Sequence, residues 1–189
     1  MKIAVIGAGF LGRALIRRLL DFGCDVSVLD RHPPGDVQYA GARWVVGDFR
    51  DQSLLREALE GVSVAYHLVA STVPGDQQVD SARELNEDVV GALQFIDACA
   101  ASDVRRIVFS SSSSVYGVQD ELPIRESAPT NPISSHGIHK LTIEKFLLLA
   151  KHLHGIDVRI LRISNPYGPG QNLTGRQGFI AITIGKIMS

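Results

Sequence analysis

Residues 1–12 read MKIAVIGAGFLG. Lys2–Ile6 is a short apolar run of the kind that forms a buried strand. It runs directly into Gly7-Ala8-Gly9-Phe10-Leu11-Gly12, a G-x-G-x-x-G turn. Leu11, Ala14, Leu15, Leu19 and Phe22 then recur on one side of a helix over Phe10–Phe22, and Gly23 stops it. Glycines can serve turn geometry alone. Between a strand and a helix, however, the spacing has a specific use. Gly7 permits the tight turn, Gly9 lets a pyrophosphate approach the backbone, and Gly12 lets the helix pack on the strand. The helix start then offers its free N–H groups and positive dipole end to phosphate.

Working outward, short apolar runs keep alternating with helical patterns. Strands are expected at Asp25–Leu29, Arg43–Val46, Ser63–Val69, Arg105–Ser110 and Asp157–Ile163. Helices are expected at Gln52–Glu60, ended by Gly61, then at Ser81–Ala101 and at Ser134–His154, ended by Gly155. His152 and His154 fall in that last turn, where cationic side chains suit the dipole. Gly178–Ser189 also looks helical, without a stop signal. Strands apolar on both faces and separated by helices predict an α/β fold with a doubly wound parallel sheet, order 3-2-1-4-5-6. Sites in such sheets lie at the carboxyl ends of the strands. The serine run 110–114 continues an apolar strand and leads into Val115-Tyr116-Gly117, so it is not a linker.

The bulk numbers fit one globular core. The chain has 189 residues, 45% hydrophobic and 21% charged, with net charge −1. That balance gives no electrostatic case for nucleic acid or an anionic membrane. No signal peptide or membrane span is read, and Cys24 and Cys99 read as buried thiols of a reduced, cytoplasmic protein. His136-x-x-His139 and the His152/His154 pair lack a carboxylate or thiol at ligand spacing, so no metal is expected.

The second strand runs into Asp30, whose carboxylate can accept both ribose hydroxyls of NAD and would repel the 2′-phosphate of NADP. Arg31 beside it can hold that phosphate instead. NAD is the expected cofactor. Asp48, after the third strand, is a candidate acceptor from the adenine amino group or a helix cap, and Asp51 is as well placed for the cap.

The glycine turn, Asp30, GDFRD, HLVAS, SSSSVYG, the helix lysine Lys140 and LRISNPYGPGQN follow one another in this order. On them the chain resembles the extended short-chain dehydrogenase/reductase family, and within it the NAD-dependent nucleotide-sugar epimerases and dehydratases. The resemblance covers nearly the whole chain. It implies the Rossmann fold, with residues 1–175 as the NAD-binding domain and 176–189 as the start of a substrate-binding lobe that is largely missing. It implies cofactor contacts at Gly7, Gly9, Phe10, Leu11, Gly12, Asp30, Arg31, Asp48, Phe49, Leu68, Val69, Ala70, Ser110, Lys140 and Pro166. Catalytic positions are Ser112, His136 and Lys140, and substrate faces Ser112, His136 and Asn165. The implied reaction is C4 epimerisation of a UDP-hexose by transient hydride transfer to NAD. The implied assembly is a homodimer through helices 81–101 and 134–154.

Four departures qualify the resemblance. His136 stands where the family's Tyr-x-x-x-Lys pair has tyrosine. Ile6 replaces a glycine, Asp88 replaces an asparagine, and the chain is shorter than its relatives. Histidine titrates near 6.5 against about 10 for tyrosine, and a cationic Lys140 one turn on favours its neutral, proton-accepting form. Imidazole is also shorter than phenol, so a water or Tyr116 is left open as a relay. Two other readings stay open. One is a catalytically silent NAD-binding sensor or partner. The other is a dehydratase or reductase of the same fold, against which no acidic residue is seen beside Ser111–Ser114.

Overall fold

The apolar run after Met1 becomes β1 (Lys2–Ile6), at the centre of the sheet. In the computed structural model, residues 1–35, 39–71, 80–174 and 178–188 are described. After β1 come α1 (Phe10–Asp21), β2 (Asp25–Asp30), β3 (Arg43–Val46), α2 (Gln52–Leu59) and β4 (Val64–His67). A helical rod follows: α3 (Ser81–Glu84), a π-helical stretch (Leu85–Val90) and α4 (Gly91–Ala100). Then come β5 (Arg106–Ser112), a 3₁₀ turn (Ser113–Tyr116), α5 (Ser135–His154), β6 (Asp157–Ile163) and α6 (Phe179–Met188).

The six strands are parallel in the order β3-β2-β1-β4-β5-β6, as the strand–helix alternation predicts. Side chains alternate across the sheet. Ile3 and Val5 of β1 pack with Val26, Val28 and with Ile16 and Leu19 of α1. Ala4 and Ile6 face the other layer, where Leu55, Leu59, Phe95, Ile96, Ile143 and Leu147 bring in α2, α4 and α5. The helix ends follow their local chemistry. Asp51 caps α2, accepting from Ser53 N–H at 2.8 Å, and Ser134 caps α5, accepting from Gly137 N–H at 3.2 Å. Gly155 ends α5 at φ +70°, a left-handed position that side chains resist.

The differences lie where tertiary contacts decide. β4 stops at His67, because Leu68–Ala70 leave the sheet to line a cleft. β5 runs two residues further than expected, because Ser111 and Ser112 pair with Arg162 and Ile163 of β6. The single helix expected over 81–101 carries the π-helical stretch, which buries Asp88 and Val89 together. Cys99 is fully buried but Cys24 only partly, a correction to the expectation of two buried thiols; both are free. The domain boundary expected between 175 and 176 lies outside the described residues, as does Ser189. No described helix is long and apolar enough to cross a membrane. α6 buries only Ala181 and exposes Phe179, Ile184, Ile187 and Met188.

Candidate active site

A cleft of about 360 Å³ opens at the carboxyl ends of β1, β2 and β4. Its walls include Gly7, Gly9, Phe10, Asp30, Arg31, Phe49, Leu68, Val69 and Ala70, all cofactor contacts implied by the sequence. Leu11, Gly12, Asp48, Ser110, Lys140 and Pro166 are not among its lining residues. Ala8, Leu29 and Gly47 line it as well, and the sequence reading passed over three further lining residues, Arg13, His32 and Gly170. Of these, only Arg13 had a local signal, as the first basic side chain behind the glycine turn.

The three glycines of the turn have three distinct reasons. Gly7 has φ +98°, and a Cβ there would meet Val69 Cγ2 at 2.9 Å. A Cβ on Gly12 would stand 2.1 Å from the Gly7 carbonyl oxygen, so this glycine sets how closely α1 approaches the turn. A Cβ on Gly9 would meet nothing within 4 Å: that face is open to the cleft. Gly9 is also the N-cap of α1, so the helix start faces the same space. Asp30 ties the far side to the turn. Its Oδ2 accepts from Ala8 N–H at 2.7 Å and its Oδ1 from His32 N–H at 2.9 Å. An open glycine face, a helix N-terminus and a carboxylate across the cleft fit a dinucleotide's pyrophosphate and adenosine ribose.

Asp48 is not itself a lining residue of this cleft, although Gly47 and Phe49 on either side of it are. Its carboxylate is held by Arg50, with Nε donating to Oδ1 at 2.9 Å and a terminal nitrogen donating to Oδ2 at 2.7 Å. That hydrogen-bonded guanidinium lowers its pKa to about 2. Asp48 lines a separate hollow with Arg50, Asp51, Asn86, Val90 and Gln94.

Behind the cleft, α5 meets the end of β5. Gly137 is the reason they meet closely: a Cβ there would stand 2.7 Å from the Ser114 carbonyl oxygen. His136 is thereby buried in the first turn of α5, next to the serine turn. Ser112 caps that turn, its Oγ accepting from Ser114 N–H at 3.2 Å and Ser114 Oγ at 2.9 Å. Lys140 is 5% exposed. Its Nζ donates to the Ser110 carbonyl at 2.8 Å and lies 4.7 Å from the Phe109 ring centroid. Burial lowers its pKa from 10.5 to about 8, a shift that Asp88 opposes. Ser110 Oγ donates to the His67 carbonyl at 3.1 Å, which links this group to the β4 tip and so to the cleft. Asn165 is exposed and Pro166 half-buried.

An acidic residue does reach the serine loop, against the sequence expectation. Glu144, one helical turn beyond Lys140, is 2% exposed and accepts from Ser111 Oγ. It is already committed. Arg162 of β6 donates to it twice, at 3.1 and 2.8 Å, and lies 4.8 Å from the Tyr116 ring centroid. Glu144 is therefore a clamp for β5, β6 and α5 and not a poised acid. Tyr116 lies buried beneath the Arg162 guanidinium. No sequence periodicity joins these residues, since the pairing depends on β5–β6 register.

Comparison with known proteins agrees with this geometry. Residues 3–189 match the profile of the NAD dependent epimerase/dehydratase family. A putative UDP-glucose 4-epimerase of Methanocaldococcus jannaschii is 32% identical over 192 residues, covering 100% of this chain and 63% of that protein. The crystal structure of UDP-glucose 4-epimerase with UDP-glucose from Thermotoga maritima superposes with TM-score 0.87 at 28% identity, over 96% of this chain and 61% of that one. The Brucella ovis UDP-glucose 4-epimerase in complex with NAD gives TM-score 0.82 at 31% identity, over 94% and 55%. Across these three, this chain spans 55% to 63% of the relative's length. With its sheet order, its glycine turn and a profile match over almost every residue, the chain belongs to the NAD-dependent epimerase/dehydratase family.

Proposed function

We propose that this chain is the cofactor-binding part of an NAD-dependent nucleotide-sugar epimerase that inverts C4 of a UDP-hexose. The observation that carries the reading is the open Gly9 face at the start of α1, opposite Asp30, in a cleft linked through the β4 tip to Lys140. Gly7, Gly9 and the first turn of α1 would hold the pyrophosphate, and Asp30 the adenosine ribose. NAD, when bound, supplies a hydride acceptor that can return the hydride to the opposite face of the same carbon. Lys140 would hold hydroxyls of the second ribose through its ammonium. His136 would take the proton from the sugar hydroxyl at an imidazole nitrogen, and Ser112 would orient that hydroxyl by donating to it. Asn165, on the exposed stretch after β6, would face the sugar.

Residues 1–175 would form the NAD-binding domain and 176–189 the start of the substrate lobe. Ile138, Phe146, Leu149 and Leu153, exposed at helical spacing along α5, support a homodimer through this helix and the 81–101 rod.

The test is NAD titration calorimetry together with an epimerase assay on UDP-sugars, run on the full-length protein as wild type, His136→Ala and His136→Tyr. The reading expects NAD binding in all three, turnover in wild type, loss in His136→Ala, and turnover kept or raised in His136→Tyr. Unchanged turnover in His136→Ala removes the histidine as base. NAD binding with all three proteins inert leaves a dinucleotide-binding partner protein in place of an enzyme.

A further inference from the structure

Ser112 is the last residue of β5, and the 3₁₀ turn Ser113–Tyr116 starts from it. Its Oγ accepts from Ser114 N–H and from Ser114 Oγ. Both lone pairs are then taken, so the hydroxyl is left to donate. Where that donor points depends on the strand end that carries it. Ser112 is extended, at φ −138° and ψ 148°, so its side chain leaves the strand on the face opposite that of Ser111. Fixing Ser111 therefore fixes the direction of Ser112.

Ser111 is held by a charge pair. Its Oγ donates to Glu144 Oε1, and Arg162, in register with Ser111 on β6, donates from Nε to the same oxygen at 3.1 Å. A second guanidinium nitrogen donates to Oε2 at 2.8 Å. One planar fork thus bonds both carboxylate oxygens, which fixes direction as well as distance. The same guanidinium lies 4.8 Å from the ring centroid of Tyr116, and Tyr116 ends the turn that Ser112 begins. The ion pair grips the turn at both ends. The Glu144 side chain is 3% exposed and that of Arg162 26%, so little water competes for the grip.

We propose that Glu144 and Arg162 are positioning residues for the reaction: through Ser111 and Tyr116 they aim the Ser112 hydroxyl at the substrate. The inference rests on the reading that Ser112 orients the sugar hydroxyl. Neither Glu144 nor Arg162 lines the cofactor cleft, so their influence reaches the reaction through the serine turn and not through the dinucleotide. Glu144 also shares α5 with His136 and Lys140, so removing it would disturb more than Ser112. The clean cut is at Ser111, which breaks one link and leaves the ion pair standing.

The test uses the full-length protein. Ser111→Ala should lower epimerase kcat about ten-fold, with KM for the UDP-sugar and Kd for NAD within about two-fold of wild type. The acid limb of the pH profile should keep its midpoint, because the proton acceptor is untouched. Ser111→Thr returns the hydroxyl and should restore kcat. Arg162→Lys keeps the positive charge but loses the fork and the ring contact, and should lower kcat in the same way. Amide hydrogen exchange at Ser114, whose N–H bonds Ser112 Oγ, reads the turn without the reaction. Measured relative to Val5 in the central strand, it should run about five-fold faster in Ser111→Ala and Arg162→Lys than in wild type and Ser111→Thr. Unchanged kcat in Ser111→Ala, or an unchanged ratio of Ser114 to Val5 exchange, overturns the proposal. A wild type that is inert on UDP-sugars refutes the functional reading, and the exchange ratio then decides alone whether the ion pair grips the turn.

Discussion

His67 offers the sharpest test of the interior. It ends β4 inside a cage of rings: Phe49, Phe95 and Phe109 have centroids 5.5, 4.9 and 5.7 Å from its own. Neither ring nitrogen has a hydrogen-bond partner among the described residues. Burial, and secondarily the Lys140 charge, lowers its pKa from 6.5 to about 3. Between those values the unfolded chain binds a proton that the folded chain refuses. Stability is therefore fully present above pH 6.5 and is lost as pH falls toward 3, at up to about 1.4 kcal/mol per pH unit. From pH 7 to pH 4 this one residue should remove about 3 kcal/mol. The perturbation is His67→Phe, which keeps a ring in the cage and removes the proton site. Urea unfolding followed by the fluorescence of Trp44, the chain's single tryptophan, gives the free energies. Carboxylates also titrate in this range, but they cancel in the difference between variant and wild type. That difference should move in favour of His67→Phe by about 3 kcal/mol between pH 7 and pH 4. A difference constant to within about 0.5 kcal/mol would show that the imidazole is not held neutral, and the argument from burial would fail.

The clamp on β5 and β6 predicts an asymmetry: Arg162→Ala strands a buried carboxylate and should cost about 3–5 kcal/mol, increasingly so as pH rises. Glu144→Gln leaves a partly hydrated guanidinium and should cost less, and the double variant should be more stable than Arg162→Ala alone, all by urea unfolding. The glycines separate fold from ligand. Gly12→Ala drives a Cβ into the Gly7 carbonyl and should lower stability by about 1–3 kcal/mol, whereas Gly9→Ala should leave stability within about 0.5 kcal/mol and weaken NAD binding in calorimetry. Asp30→Ala should narrow the preference for NAD over NADP measured the same way, and a wild-type preference for NADP would shift the role to Arg31.

What could be read from the chain was local. Gly7, Gly9 and Gly12 lie within one turn, and their reasons are stereochemical, so the turn, β1 and α1 follow from neighbouring residues. Ser134, Asp51 and Gly155 marked helix ends by side-chain and backbone chemistry that also needs no partner. The rest depends on register between distant strands. Ser111 and Ser112 extend β5 only because β6 lies beside them, and Glu144 finds Arg162 only through that pairing. Asp48 is a different case. Arg50, two residues on, was visible in the sequence, but nothing local showed that its guanidinium would hold the Asp48 carboxylate.

The place of β1 bears on how the chain is made. β1 pairs with β2 on one side, with Ile3 in register with Val26, and with β4 on the other, with Ile3 in register with Val64. A ribosome releases β1, α1, β2 and β3 well before β4. That half can close on itself while one side of its innermost strand remains bare. Until Val64–His67 emerges, this apolar edge is a template for any other extended chain nearby, including a second nascent copy. Pausing synthesis between β3 and β4 should therefore raise aggregation more than a pause after β5, when the last gap lies at the sheet's outer rim.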